Sequence, residues 1–219
     1  MSGALQAVFM NQRSFALRIG DAYQGGFYAG QISTTGNSIA DYNLVVGPKS
    51  TAQSSAITWS SSTSATPGAD SAINGPQNTA DMVADGDATV YPAAHFCNDL
   101  VTGGFSDWYM PAKNEVEVCY YNLKPTTTSN NTSYGINPNA VPARASNYTN
   151  GNPAQTSAVA FQLGGTQDFT GAGNYYYWTS TEAATTTFAW GPNFNTGYQA
   201  YHFKNGSPLV VRAVRRVAV

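Results

Sequence analysis

A chain of 219 residues with 10% charged side chains and a formal net charge of −2 carries well under half of the roughly 25% charge usual in soluble proteins. Its 42% hydrophobic and 13% aromatic content excludes solvated disorder, which needs few aromatics and high net charge. The charge balance offers no basic field for nucleic acid, and no apolar run approaches the roughly 20 residues that span a bilayer.

The first twenty residues stand apart. ALQAVFMNQRSFALRIG places apolar groups at both helical and alternating spacings, and no basic region precedes a long apolar block as in a secretory signal. A short terminal segment that cannot bury its own apolar residues docks on something. Leu5, Val8, Phe9, Arg13 and Phe15 are the candidates for that contact, with the chain's own domain, a sister subunit or a larger assembly as the surface met. Residues 1–20 are therefore expected to be an attachment or assembly segment, and 21–219 a single domain.

From Gly25 the pattern alternates. GGFYAGQIS and ADYNLVVGPK flank a Gly/Asn turn and predict a β-hairpin, the glycines within the first strand implying a bulge or close backbone approach. Residues 50–80 are rich in Ser, Thr, Ala, Gly and Pro around Trp59 and are expected to form a long loop. The acidic DGD at 85–87 lacks the spaced ligands of a calcium loop. Two amphipathic helices are predicted next. In YPAAHFCNDLV, Pro92 opens a helix whose apolar face is Ala93, Phe96, Cys97, Leu100 and Val101. After Pro111 a second helix presents Val116, Cys119, Tyr120 and Leu123, with Glu115 and Glu117 near its N-terminus where the macrodipole favours them. Cys97 and Cys119 read as buried thiols, with a disulfide open as an alternative. His95 reads as a hydrogen-bonded structural group. Residues 126–157 predict a long ordered loop or insertion, and AVAFQLGG a short helix or strand.

The C-terminal stretch predicts a meander of TTTFAW, YQAYHF and LVVRAVRRV, joined by GPNFNTG and KNGSP. Tyr, Asn, Thr, His and Lys concentrate there, a mixture similar to that of antibody binding surfaces. Arg212, Arg215 and Arg216 are expected to pair with scattered carboxylates, phosphate binding being the alternative. No Ser-His-Asp set, metal-spaced His cluster or phosphate-binding glycine loop is present.

The order of these elements resembles the C-type lectin fold, an α+β architecture of two helices packed on small antiparallel sheets with long loops. Three motifs narrow the resemblance. DWYMPAKNEVEVCYYNL is similar to the W-x-x-P-x-x-x-E-L helix entry of the Lcl C-terminal family, YYYWTSTE to its Y-W-S-S-T-E motif, and AW through VRAVRRV to its closing strands. The resemblance spans roughly Gly25 to Val217. It implies a non-enzymatic bacteriophage virion protein, such as a tail fibre or receptor-binding tip, exposed on a particle assembled in the host cytoplasm. Its implied partners are other virion subunits and a host surface glycan or protein, in a homo-oligomer with a trimer favoured, without nucleic acid, membrane insertion, cofactor or metal. The positions matching the family's display surface are Asn193, Asn195, Thr196, Tyr198, Tyr201, His202 and Lys204, whereas Phe188, Trp190, Phe194 and Phe203 match its apolar scaffold. A capsid decoration or tail-shell protein is the structural alternative. An enzyme of the formylglycine-generating type is a remote one, since that chemistry needs late cysteines and Cys97 and Cys119 lie mid-chain.

Overall fold

The computed structural model describes residues 16–170, 175–206 and 208–219. The assembly candidates Leu5, Val8, Phe9, Arg13 and Phe15 lie outside the described residues. The predicted hairpin forms as β2 (Gly26–Ile32) against β3 (Tyr42–Val46), with a short β1 (Ala22–Tyr23) on its outer edge. Its register shifts between Tyr28 and Gly30. Gly30 has φ +124°, and a Cβ there would lie 2.4 Å from the Asn122 side chain, whose Nδ2 donates to the Ala29 carbonyl at 2.8 Å. This glycine thus serves both expected purposes, a bulge and a close approach.

Residues 50–80 are not one long loop. A helical turn α1 (Lys49–Ala52) leads into β4 (Gln53–Ile57), and an eleven-residue helix α2 (Gly75–Asp85) follows. The α2 sequence offers no apolar stripe because its buried face consists of Gly75, Asn78, Thr79 and Met82. Asn78 and Thr79 are inaccessible there, and Thr79 Oγ1 donates to the carbonyls of Gly75 and Met110. Its start is legible in retrospect, with Asn74 as N-cap and a proline in the first turn.

Helix α3 (Pro92–Asn98) ends before Leu100 and Val101. Val101 is 74% exposed rather than on a buried face. Helix α4 (Lys113–Leu123) buries Val116, Cys119, Tyr120 and Leu123 as expected, and also buries Glu115 and Glu117. Both cysteines carry free, buried thiols, and burial pushes their ionisation up. His95 Nε2 lies 2.9 Å from the Gly86 carbonyl oxygen, a structural contact.

Residues 126–157 wrap around buried charges. Lys124 Nζ donates to Asn130 Oδ1 at 2.6 Å and to the Thr128 carbonyl, while Arg144 pairs with Glu117. Short β5 (Ala140–Val141) in this segment pairs with the end of β2. AVAFQLGG contributes one 3-10 turn, Val159–Phe161.

The expected three-strand meander does not form. Strands β6 (Phe188–Pro192) and β7 (Gln199–Phe203) make a two-stranded ribbon, and the next segment leaves it. Strand β8 (Leu209–Arg212) pairs with β4; after a break at Ala213, β9 (Val214–Ala218) pairs with β3. The physical reason lies in LVVRAV: its residues from Leu209 to Val214 are all buried, so it is an interior strand covered on both faces, where an exposed meander strand would alternate. The result is an α+β domain in which the last strand closes the sheet begun by the first hairpin, in the order β1-β2-β3-β9.

Candidate functional site

Few charges are present, and much of that charge is interior. Among the described residues Glu115, Glu117, Lys124, Asp168, Lys204, Arg212 and Arg215 are all buried. Buried charges must be paired and hydrogen-bonded, and these join distant segments. Glu115 accepts from Tyr109 Oη, from the backbone N–H of Ala112 and Gly75, and from Arg216 Nε at 2.8 Å. Arg215 forms a two-pronged pair with Asp107 at 2.6 and 2.8 Å. Arg212 donates to the carbonyls of Gly47 and Gln167 and to Gln167 Oε1. All three arginines are therefore engaged with acceptors of this chain, Arg215 and Arg216 with carboxylates as expected and Arg212 with carbonyl and amide oxygens.

The same logic fixes the ribbon. Tyr177 and Trp178 are buried beneath it, Trp178 Nε1 donating to the Ile57 carbonyl at 2.8 Å. Glu182 holds Lys204 at 2.5 Å, and Lys204 also donates to the Ser64 carbonyl. At the tip, Gly197 has φ +72°, and a Cβ would lie 2.4 Å from the Tyr120 ring.

The pairing Phe188 with Phe203, Trp190 with Tyr201 and Pro192 with Gln199 puts these six side chains on one face, since alternate residues of a strand share a side. Tyr201 and Phe203 are 57% and 51% exposed. Their rings meet those of Trp190 and Phe188, with centroids 5.7 Å apart for Trp190–Tyr201 and 4.4 Å for Phe188–Phe203. Tyr198, also exposed, packs edge-on to Tyr134 at 5.3 Å. The Lys113 ammonium stands 3.5 Å from the Trp190 ring centroid, a cation–π arrangement. The outcome is a fixed aromatic face, rimmed by one lysine, on a ribbon anchored from below.

The expected display set divides on this geometry. Tyr198 and Tyr201 are exposed. Lys204 is not at the surface: it is wholly buried on its ion pair. His202 points inward, half-buried, with its ring 4.7 Å from Tyr176 and 6.0 Å from Trp178. Burial lowers its pKa below the ordinary 6.5, with a smaller opposing contribution from the Gly191 backbone. Asn193 folds its side chain back to accept from the N–H of Asn195 and Thr196, closing the turn. Asn195 Oδ1 accepts from Thr126 Oγ1 at 2.7 Å, and the Thr196 carbonyl accepts from the Asn131 N–H. The tip is therefore docked on the 126–131 loop. Phe203, expected as scaffold, is exposed, whereas Phe194 is wholly buried as expected. The missed members are Phe203, Lys113, Tyr134 and Gln199. Strand alternation was the available signal for the first: Gln199, Tyr201 and Phe203 share a face, and Ala200, His202 and Lys204 share the other.

No group of three or more His, Cys, Asp or Glu side chains positioned to hold a metal occurs among the described residues, nor does any described helix have the length and apolarity to cross a membrane. The family model of the Lcl C-terminal domain matches residues 49–215, and the chain belongs to that family. No curated protein matches it. Of the residues through which the sequence resembles the family's motifs, Trp108, Glu115, Tyr177, Trp178, Arg212 and Arg215 are buried, and Glu182 is partly buried on Lys204.

Proposed function

We propose that this member of the Lcl C-terminal domain family is a bacteriophage virion protein that attaches to the host surface through the outer face of the β6–β7 ribbon. The observation that carries the reading is the aromatic face on which exposed Tyr201 and Phe203 lie beside half-buried Trp190, on a ribbon held by a buried lysine–carboxylate pair. Exposed contiguous aromatics on a rigid support mark interaction surfaces, and Tyr and Trp supply contact area at low entropy cost. A neutral, hydrogen-bonding surface suits glycan or protein receptors better than polyanions. Weak single contacts would gain from many copies on a particle, a trimer among the arrangements that provide them.

The finer fold assignment, a C-type lectin-like domain, belongs to the same proposal. It is supported by the return of the last strand to the first hairpin, β9 lying on β3, and by helix α4 packed on that sheet. The absence of chemistry is part of the reading. Both thiols are deeply buried, and His202 faces aromatic rings.

Binding of the purified chain to whole bacteria and to a panel of envelope glycans tests the proposal, together with its position on intact particles. Saturable cell binding that falls at least tenfold in Tyr201→Ala/Phe203→Ala, with the chain at a fibre tip, supports attachment. A capsid lattice in which the aromatic face is covered by a neighbouring subunit overturns it in favour of a decoration protein.

A further inference from the structure

Where α4 begins, the outer face of the ribbon meets the 133–136 loop, and a cavity of about 180 Å³ lies between them. Its walls include Lys113, Asn114, Glu117, Tyr134, Asn147 and Gln199. Gln199 is only 6% exposed, and neither its Oε1 nor its Nε2 has a hydrogen-bond partner. Buried amides are almost always satisfied, so an idle one calls for a partner. Lys113 takes part in none of the six ion pairs among the described residues, and burial lowers its pKa. Glu117 does not neutralise it, because that carboxylate already binds Arg144, Tyr148 and Asn137. The cavity therefore carries one uncompensated positive charge, one amide idle as both donor and acceptor, and a tyrosine ring in its wall.

The larger cavity of about 480 Å³ beside Arg216 and Asp107 differs on this point. Its charged groups are spent on one another's neighbours, Arg216 on Glu115 and Asp107 on Arg215. Size narrows the smaller cavity's occupant: its volume equals roughly six waters' share of the liquid and falls below the ~300 Å³ at which drug-sized pockets begin. Charge asks for an anion. The idle amide asks for a ligand that both donates and accepts, which the several hydroxyl groups of a polyhydroxy compound do.

We infer that this cavity binds a single polyhydroxy carboxylate of monosaccharide size, its carboxylate at Lys113 and its hydroxyls exchanging hydrogen bonds with Gln199. A pyranose ring would set its C–H face on Tyr134. The inference deepens the attachment reading by giving the aromatic face a pocket of defined chemistry, and it rests on that reading only for its biological setting. Binding is measured on the isolated chain, so it fails separately from cell adsorption.

The test is calorimetric titration of the full chain with D-galacturonate, D-galactose and inorganic phosphate. D-galactose differs from D-galacturonate only in replacing the carboxylate with a hydroxymethyl group. The expected result is saturable binding of galacturonate with Kd on the order of 1 mM, and of galactose at least tenfold weaker. Lys113→Gln should abolish the difference between the two sugars. Gln199→Met should abolish galacturonate binding while raising the Tm of the unliganded chain by about 2–4 °C, because an apolar isostere removes an unsatisfied amide. A site with only a structural role would not show that opposition. The inference is overturned by absence of saturable galacturonate binding, by equal affinity for galactose, by phosphate binding as tightly as galacturonate, or by undiminished affinity in either variant.

Discussion

Removing the Lys204 ammonium tests whether the ribbon is held from beneath by charge. The Lys204 side chain is 0% exposed and that of its partner Glu182 is 8% exposed, with 2.5 Å between Nζ and Oε1. Nζ also donates to the Ser64 carbonyl at 2.5 Å and to Thr66 Oγ1 at 3.4 Å. In Lys204→Ala, Glu182 would lose its countercharge and keep the Thr66 N–H at 3.0 Å, and the Ser64 carbonyl would lose the Lys204 donor. Breaking a buried pair from one side costs about 3–5 kcal/mol. For a domain of this size each kcal/mol moves Tm by about 2–4 °C, so a fall of roughly 6–20 °C is expected. Glu182→Gln with Lys204→Met should lose less than the single change, since no uncompensated charge remains. Thermal unfolding followed by near-ultraviolet circular dichroism, with urea midpoints as the equilibrium check, measures both. A single variant within about 2 °C of wild type would place the pair with exposed ion pairs, which contribute at most ~1 kcal/mol, and would refute the reasoning.

Tyr201→Ala with Phe203→Ala should change Tm by no more than about 2–4 °C, because both rings are exposed and surface substitutions away from structural features cost little; differential scanning fluorimetry checks this beside the adsorption assay. Gly197→Ala forces a side chain into φ +72° and against Tyr120, so a loss of about 2 kcal/mol or more is expected in urea unfolding. The pH dependence of stability should report His202. Its pKa is lower folded than the ordinary 6.5, so the unfolded chain takes up a proton that the folded chain refuses. Stability is therefore fully present above that value and falls as pH drops through it toward the folded pKa. His202→Gln should flatten the decline between about pH 7.5 and pH 5.5; an unchanged decline in urea midpoints would assign it to other groups.

Much of the fold was legible because its signals are local. The β2–β3 hairpin follows from alternation around a Gly/Asn turn, and α4 from an apolar stripe after Pro111. Helix α2 escaped because its buried face is built from Asn78 and Thr79, whose burial is stabilised by hydrogen bonds that no hydrophobic period reveals. The departure of β8 and β9 from the ribbon was hidden for a different reason. Which strand a segment joins is a long-range choice, and β8 pairs with β4 more than 150 residues away in sequence. At the site, residue type misled. Lysine, histidine and asparagine read as surface chemistry, yet Lys204, His202 and Asn193 face inward or close a turn. Phenylalanine read as core, yet Phe203 is exposed. The two-residue period of β7 carried more information than the identity of its side chains.

The scarcity of charge and the placement of that charge have one consequence for recognition. When lysines and arginines are spent inside, as Lys124, Lys204, Arg212 and Arg215 are, a surface has little with which to draw an anionic partner by long-range attraction, and association with such a partner loses the rate enhancement of electrostatic steering. Specificity then falls to short-range contacts: ring faces, hydroxyl and amide groups, and any single charge left unpaired. Lys113 is such a charge, set against Trp190 at the rim of the aromatic face and lining the same cavity as Gln199, whose amide is idle. The salt dependence of binding discriminates accordingly. A surface working by ring contact and one lysine should lose little affinity as ionic strength rises, because a contact buried against Trp190 is screened less than exposed charges separated by a Debye length of ~8 Å at physiological salt. A steep salt dependence would instead require a cluster of exposed basic groups, which the ribbon face does not contain.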